Sequence, residues 1–159
     1  MEIRPAEPAD RVAIREVARE TWHQTYEDLD PATIDKTVDD WYEPDEFGDL
    51  LTNPGTVFLV AETDDEVIGF THAVVLQGQA DILRVYVAPD HQGEGVGTAL
   101  HERMIDEAEE DVERVRAIDL ASNDHARRFF EAKGFEEVDT GSVNIRGENH
   151  AEVVYALEL

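Results

Sequence analysis

The sequence contains no cysteine. A disulfide, a cysteine-ligated zinc site, an iron–sulfur cluster and a catalytic thiol are therefore excluded. No apolar run approaches the roughly 18 to 20 residues that span a bilayer. The first residues, Met1 to Pro5, lack the basic and then apolar pattern of a signal peptide. We therefore expect a cytoplasmic protein with no membrane partner.

Basic residues are also scarce. The chain has 13 basic and 38 acidic residues, a formal net charge of −25, and its only lysines are Lys36 and Lys133. Affinity for nucleic acid depends largely on neutralising phosphates, so a surface this acidic predicts no nucleic-acid partner. The acidic residues are scattered along the chain. Together with the depletion of lysine, this predicts adaptation to a salty cytoplasm, where salt screens the repulsion between carboxylates.

Apolar residues, by contrast, are plentiful enough for a core. They make up 42% of the 159 residues and recur at regular spacings. This pattern argues against disorder, which requires low hydrophobicity as well as high charge. The length is typical of one domain, so we expect residues 1–159 to form a single domain.

Apolar periodicity and turn signals predict the secondary structure. Strands are expected at residues 3–4, 56–61, 66–75, 81–87, 117–121, 135 to about 143, and 152–159. Helices are expected from about Asp10, from Pro31, over a short segment from Pro44 to Leu51, from a glycine-rich turn to about Asp111, and over 126–133. The short third helix aside, the order is β-α-α-β-β-β-α-β-α-β-β, which predicts an α/β layered fold around a mixed sheet.

One segment has the composition of an anion-binding site. A predicted strand ends at Val87, and a loop with Gly93, Gly95 and Gly97 then leads into the long helix. Glycine lets the backbone approach a ligand closely. The free N–H groups and the dipole of a helix N-terminus favour an anion such as a pyrophosphate.

By itself, this segment leaves several interpretations open. A P-loop is excluded because the chain contains no Gly-Lys-Ser/Thr. A dinucleotide fingerprint fits poorly, because Thr98 stands where its third glycine belongs and residues 88–91 separate the strand from the loop. An ordinary strand–helix connection also remains open, since short glycine motifs are weak signals.

A second segment narrows these interpretations. Asn123, Ala126, the pair Phe129-Phe130 and Gly134-Phe135 follow one predicted strand after the long helix. With Val87, Pro89, Gln92, Gly95 and Gly97 before them, the chain resembles the GNAT superfamily of N-acetyltransferases over nearly its whole length. The resemblance implies a mixed, mostly antiparallel central sheet with helices on both faces.

The resemblance also implies an acetyl-CoA site, in a cleft where two neighbouring parallel strands splay apart. The pantetheine arm would pair with the backbone of the strand ending at Val87, and the pyrophosphate would bind the amides that follow. The cofactor-binding positions that it implies are Val85, Tyr86, Val87, Gln92, Gly93, Glu94, Gly95, Val96, Gly97, Thr98, Asn123 and Arg128. Arg127, Arg128 and Lys133 form a basic cluster that could meet the nucleotide phosphates.

The implied reaction is direct acetyl transfer to a primary amine. The resemblance assigns the oxyanion to a backbone amide, that of Val87, and offers Asp81, at the position of a family glutamate, as the general base. The alternatives are that Asp81 only ends a turn and that His72 or His23 is the base. Phe130 stands where many family members carry a tyrosine as general acid. Tyr86 and Tyr155 are the alternatives for that role.

The acceptor itself is not identified by the sequence; a small molecule and a protein amine both remain open. Trp22, Tyr26 and His72 are the candidate acceptor-site residues, with Trp41 and Tyr42 as further aromatics. No pair of histidines has metal-ligand spacing, so no metal is expected. The resemblance also allows a homodimer. The alternative function is a non-catalytic acyl-CoA-binding module, which the phenylalanine at position 130 favours.

Overall fold

A computed structural model describes residues 1–27, 29–108, 112–145 and 147–159. The strands within these ranges are β1 Glu2–Pro5, β2 Thr56–Thr63, β3 Glu66–Leu76, β4 Gln79–Val87, β5 Arg114–Leu120, β6 Glu136–Ile145 and β7 Glu148–Glu158. The helices are α1 Arg11–Thr25, α2 Pro31–Trp41, α3 Pro44–Thr52, α4 Val96–Ala108 and α5 Asp124–Ala132. Short 3₁₀ turns occupy Pro8–Asp10 and Pro89–His91.

This element order confirms the predicted one, including the short third helix. The predicted end of α4, about Asp111, lies outside the described residues. The main difference is at β7, which begins at Glu148 and not at Glu152, because its first residues pair with the end of β6. No helix among the described residues is long and apolar enough to cross a bilayer.

Local sequence signals set several element ends. Asp30 caps α2 by accepting a hydrogen bond from the Ala32 amide at 3.0 Å, and Pro31 opens the helix. Asp64 and Asp65 have φ angles of 50° and 63°, as the tight turn of a two-residue hairpin requires. Gly134, with φ of +93°, follows the end of α5.

The sheet contains one parallel pair. Its order is β1-β2-β3-β4-β5-β7-β6, and every neighbouring pair is antiparallel except β4 and β5. The pairing of β4 with β5 ends at Ile82 and Ala117, so the second halves of the two strands separate. The prediction of a mixed, mostly antiparallel sheet is confirmed.

A β-bulge in β4 decides which side chains face each side of the sheet. His72 pairs with Arg84 and Ala73 with Ile82, so Leu83 is an extra residue in β4. Side chains alternate along a strand, and one extra residue reverses the faces beyond it. Accordingly, Ile82 packs in the core beneath α4, whereas Tyr86 packs in the core beneath α1.

Helices cover both faces of the sheet, as predicted. On one face, α4 and α5 bury Leu100, Met104 and Phe130 against the strands. On the other face, α1 to α3 bury an aromatic-rich cluster that includes Trp22 and Phe47. The candidate site lies at the opening between β4 and β5.

Candidate active site

A cavity of about 230 Å³ lies where β4 and β5 separate, between α4 and α5; we call it the glycine cavity. It is lined by Thr21, Thr25, Val85, Tyr86, Val87, His91, Gln92, Gly93, Gly95, Val96, Gly97, Thr98, Asp119, Asn123, His125, Ala126, Phe129 and Phe130. Two stretches, 85–98 and 119–130, supply nearly all of this wall. The structure therefore brings most of the predicted cofactor-binding residues together.

The three loop glycines are required for two different reasons. Gly93 and Gly95 have φ angles of +80° and +84°, which L-residues with a side chain rarely adopt. Gly97 has an ordinary φ, but a Cβ there would lie 3.3 Å from the Phe129 ring. The first two glycines shape the loop, and the third allows α4 to approach α5.

The loop and the start of α4 offer hydrogen-bond donors. Within the described part of the chain, nothing accepts a hydrogen bond from the amides of residues 93–98. Lys133 adds a positive charge, because its Nζ donates to the Thr98 hydroxyl at 2.8 Å. Free amides, a helix N-terminus and a cation together form a site for an anion.

The backbone of Val87 points into the glycine cavity. Its carbonyl accepts hydrogen bonds from Gln92 Nε2 at 3.2 Å and from the Thr21 hydroxyl at 3.4 Å. The next amide, that of Ala88, donates to the Ile68 carbonyl on β3 at 2.8 Å. Since an antiparallel strand directs both backbone groups of alternate residues to the same neighbour, the Val87 amide faces away from β3.

Asn123 serves the local structure as well as the cavity. Its Oδ1 accepts a hydrogen bond from the Ala126 amide at 3.0 Å, which caps α5. This bond explains the Asn-x-x-Ala spacing, since the cap reaches the third residue of the helix. Its Nδ2 donates to the Tyr26 hydroxyl at 3.3 Å and to Asp119 Oδ2 at 3.4 Å.

The side chains of two predicted cofactor-binding residues do not line the cavity. Glu94 is exposed, and its carboxylate contacts His91 at 3.2 Å. Arg128 is exposed on the face of α5 opposite Ala126 and Phe130. Arg127, of the same basic cluster, pairs with Asp124 at 3.0 Å. Lys133 is therefore the member of that cluster that contacts the anion site.

A second cavity, of about 330 Å³, lies on the other side of the opening; we call it the aromatic cavity. It is lined by Trp22, Tyr26, Thr37, Asp40, Trp41, Leu83, Arg84, Tyr86, Ile118, Asp119, Leu120, Val143, Asn144, Ile145 and Glu152. The Trp22 ring contacts those of Tyr26 and Trp41 edge to face, with centroids 4.9 and 5.1 Å apart. Two of the candidate acceptor-site residues, Trp22 and Tyr26, thus line this cavity.

The two cavities share two lining residues, Tyr86 and Asp119. Asp119 Oδ1 accepts hydrogen bonds from the Tyr26 hydroxyl at 3.0 Å and from the Leu120 amide at 2.8 Å. Among the described residues, its Oδ2 has only the Asn123 contact at 3.4 Å. Burial raises the pKa of the Asp119 carboxyl above its ordinary value. Asp119 therefore offers a weakly engaged carboxylate oxygen with a raised pKa at the junction of the cavities.

Sequence reasoning missed Asp119. A signal did exist, because this carboxylate interrupts an apolar strand between Ile118 and Leu120, four residues before Asn123. The significance of Asp119 depends on the separation of β4 from β5, because this separation exposes the end of β5 to both cavities.

Tyr86 presents its hydroxyl at the same junction. The oxygen accepts a hydrogen bond from Trp22 Nε1 at 2.9 Å, and no acceptor for its own proton is found among the described residues. Burial raises the pKa of Tyr86, so the hydroxyl stays protonated at neutral pH. Tyr155, the alternative, lines neither cavity; its ring stacks on Phe130 with centroids 5.6 Å apart.

Two further predicted site residues, Asp81 and His72, lie away from both cavities. Asp81 lines neither cavity, because Arg116 and Gln79 hold its carboxylate at 2.9 Å on the paired half of β4. His72 is buried against Phe58, with ring centroids 4.9 Å apart, and it lines neither cavity. Burial lowers the pKa of His72 to about 4, so it is a neutral core residue. Tyr42, named with Trp41 as a further aromatic, is also fully buried in this core.

Comparisons with known proteins show the family and the fold of the chain. The model of the acetyltransferase (GNAT) family matches residues 13–135. The spermidine N(1)-acetyltransferase of Thermoplasma acidophilum is 28% identical over 105 residues, which are 63% of this chain and 65% of that protein. The chain thus matches just under two thirds of that relative's length. The ribosomal protein bS18-alanine N-acetyltransferase of Haemophilus influenzae is 28% identical over 98 residues, 60% of this chain and 67% of that protein.

Solved structures share the whole fold. The PaiA N-acetyltransferase of Thermoplasma acidophilum, solved with coenzyme A, superposes with a TM-score of 0.86 at 23% identity, covering 99% of this chain and 98% of that one. The ribosomal-protein-S18-alanine N-acetyltransferase of Escherichia coli gives a TM-score of 0.73 at 20% identity, covering 99% and 92%. At this identity the likeness concerns the arrangement of strands and helices.

Proposed function

Because the chain belongs to the acetyltransferase (GNAT) family, we propose that it transfers the acetyl group of acetyl-CoA to a primary amine bound in the aromatic cavity. The observation that carries the proposal is the pair of residues that the two cavities share, Tyr86 and Asp119. Two substrates that bind in adjoining cavities react where the cavities meet. The curated relatives are named for a polyamine and for a ribosomal-protein alanine, so an amine nitrogen is common to both.

In this proposal the glycine cavity holds acetyl-CoA. The amides of residues 93–98 and Lys133 bind the pyrophosphate, since these amides have no acceptor among the described residues and Lys133 places a positive charge beside them. The pantetheine arm lies along the half of β4 that does not pair with β5, beside Val85 and Val87. The Val87 amide then donates to the thioester oxygen, because it points away from β3 and into the cavity.

Asp119 acts as the general base. An amine is mostly protonated at neutral pH and must lose a proton before it can attack. Burial raises the pKa of Asp119, which makes its carboxylate a stronger base than an exposed aspartate. Asp119 lines both cavities, which supports a position beside the attacking nitrogen. In this proposal Asp119 takes the role for which the family resemblance offered Asp81.

The chemistry is a direct displacement at the thioester carbon. The amine nitrogen forms a bond to this carbon, and its oxygen becomes an oxyanion that the Val87 amide stabilises. Collapse of the intermediate breaks the C–S bond and releases CoA. An ammonium acceptor loses two protons in all, of which one ends on the CoA sulfur and one reaches solvent through Asp119. The Tyr86 hydroxyl, which is protonated at neutral pH, donates a hydrogen bond to the departing thiolate.

The test is amine-dependent release of CoA thiol by the wild type and by Asp119→Asn, measured from pH 6 to pH 10 over an amine panel. General-base catalysis contributes about 10²- to 10⁴-fold, so the variant is expected to lose at least about 100-fold in kcat near pH 7. Part of the rate should return at high pH, where the amine deprotonates unaided. In the wild type, kcat/KM should fall as the pH drops through the raised pKa of Asp119, and this limb should vanish in the variant.

Asp119→Glu is the matched control, since it keeps the carboxylate and should retain a pH-dependent rate. An unchanged rate for Asp119→Asn at pH 7 would remove Asp119 from the mechanism. Tight binding of acetyl-CoA with no turnover of any amine would instead favour the non-catalytic acyl-CoA-binding module.

A further inference from the structure

Arg84 lines the aromatic cavity and packs on aromatic rings. Its guanidinium carbon lies 4.1 Å from the centre of the Trp41 ring and 5.9 Å from that of Tyr42. Across residues 1–27, 29–108, 112–145 and 147–159, no ion pair or side-chain hydrogen bond of Arg84 is found. By comparison, Arg4 and Arg116 each contact a carboxylate within 3.0 Å. In a chain with 38 acidic and 13 basic residues, a half-buried arginine with no ion pair in the described ranges requires an explanation. Its charge does act on Asp119, the carboxylate at the junction of the cavities.

The bulge at Leu83 places Arg84 on this wall. Without the extra residue, Arg84 would point with Ile82 into the core beneath α4. With it, Arg84 and Tyr86 point to the same side and line the same cavity. The backbone irregularity that brings Tyr86 to the junction therefore also brings a positive charge into the aromatic cavity.

The stacking on Trp41 leaves the hydrogen-bonding edge of Arg84 available. A cation–π contact uses the flat face of the guanidinium, whereas its five N–H donors lie in the plane and match a carboxylate in a two-pronged arrangement. A cation that is held by an aromatic face and is accessible from a cavity is suited to bind an anion.

The cavity wall therefore carries charges of both signs. Asp119 lies at the junction with the glycine cavity, Asp40 and Glu152 also line the wall, and Arg84 is the one basic residue among its described members. A ligand with an ammonium group alone would pair with Asp119 but would be repelled by Arg84. A small molecule that carries both an amine and a carboxylate would satisfy both signs, and a cavity of about 330 Å³ is in the usual range for a small-molecule site.

We propose that the acceptor is an amine that also carries a carboxylate, as an amino acid does, and that Arg84 binds this carboxylate and determines the specificity. The inference rests on the proposed acetyl transfer and narrows its acceptor class. It places the amine at Asp119 and the carboxylate at Arg84. It also separates this protein from a transferase for purely cationic amines, because Arg84 would oppose such an acceptor.

The experiment uses sets of three related acceptors, each set consisting of an amino acid, its carboxamide and its decarboxylated amine. The amino acids of the panel include phenylalanine, tyrosine and ornithine. The assay measures kcat and KM from CoA thiol release at saturating acetyl-CoA. For at least one set, the wild type is expected to prefer the amino acid by about 10- to 100-fold in kcat/KM, as one charged hydrogen-bonded contact provides. Most of this preference should lie in KM.

Arg84→Gln should reduce the ratio of amino acid to carboxamide towards one, and Arg84→Lys should restore part of it. The lysine keeps the charge but not the two-pronged geometry. If the stacking on Trp41 is the whole role of Arg84, then Arg84→Gln should lower kcat/KM equally for the amino acid and for its carboxamide. The ratio of the two values would then stay unchanged, and this result would overturn the inference.

A second overturning result would be a wild-type preference for the decarboxylated amines. This outcome would leave the acetyl transfer itself intact. If no amine on the panel releases CoA although acetyl-CoA raises the melting temperature, the proposed function and this inference both fail. The two failures are therefore distinguishable in one data set.

Discussion

The glycine cavity and the aromatic cavity meet at Tyr86 and Asp119, but they are built in different ways. The wall of the glycine cavity comes mainly from two short stretches, and its anion site consists of backbone amides held by glycine φ angles. The wall of the aromatic cavity comes from α1, α2 and four strands, β4 to β7, and it acts through side chains. A cavity that binds through its backbone can be encoded by a local motif, whereas a cavity that binds through side chains depends on the packing of distant segments.

The difference has a chemical consequence. In the proposed function the donor is always acetyl-CoA and backbone amides bind its phosphates, so few side chains are committed to it. The acceptor must be distinguished from other amines, which requires side chains of particular charge and shape. Three variants test this division of labour, and the one with the greatest expected loss comes first.

Gly95→Glu is expected to have the most severe consequence. The φ angle of +84° strains any side chain there, and a carboxylate would occupy the anion site. We expect acetyl-CoA affinity to fall by at least about 100-fold, which removes the rise in melting temperature that a ligand gives at saturation. Thermal unfolding with and without acetyl-CoA measures this.

Gly48→Glu is the matched control. Gly48 lies in α3, its φ is not positive, and a Cβ added there would have nothing within 4 Å. The variant adds the same charge at a distance from the loop, and its melting temperature should still rise with acetyl-CoA. Equal rises in Gly95→Glu and the wild type would mean that the loop does not bind the donor.

An intermediate loss is expected for Tyr86→Phe at the junction of the cavities. Removing the hydroxyl removes the hydrogen bond to the departing thiolate, and we expect kcat to fall by about 10- to 100-fold. Tyr155→Phe is the control, since burial also raises the pKa of Tyr155 but its ring lines neither cavity. Steady-state kinetics with a fixed amine would measure both variants. A similar loss of kcat in the two would show that the junction has no special role.

Lys133→Met should have the mildest consequence. The ammonium group at 2.8 Å from the Thr98 hydroxyl is part-exposed, so its loss should weaken acetyl-CoA binding by about 1 kcal/mol, or roughly five-fold. Isothermal titration at two salt concentrations measures this, and the difference should shrink at the higher one. Arg128→Gln removes an equal charge from the exposed face of α5 and should leave the affinity within about two-fold of the wild type. If Arg128→Gln weakens acetyl-CoA binding by more than this two-fold limit, then the nucleotide end of the donor lies along α5.

Much of the fold could be predicted because its signals are local. The element order follows from apolar periodicity and turn residues, and the glycines and Asn123 mark the segments around the glycine cavity. The Asn-x-x-Ala spacing is itself a local hydrogen bond, from the Ala126 amide to Asn123. The sequence alone does not show which face of α5 turns outward, so it could not show that Arg128 lies away from the glycine cavity.

The glycine cavity of this protein can be predicted from the sequence alone, since a backbone conformation is encoded in the residues that adopt it. The aromatic cavity cannot be predicted in this way, because its wall depends on how distant segments of the chain pack together. The bulge at Leu83 turns Arg84 and Tyr86 towards α1, and the separation of β5 from β4 exposes Asp119, whereas Asp81 stays engaged with Arg116. One extra residue in a strand reverses the face of every side chain after it, and it becomes visible only when the neighbouring strand fixes the register.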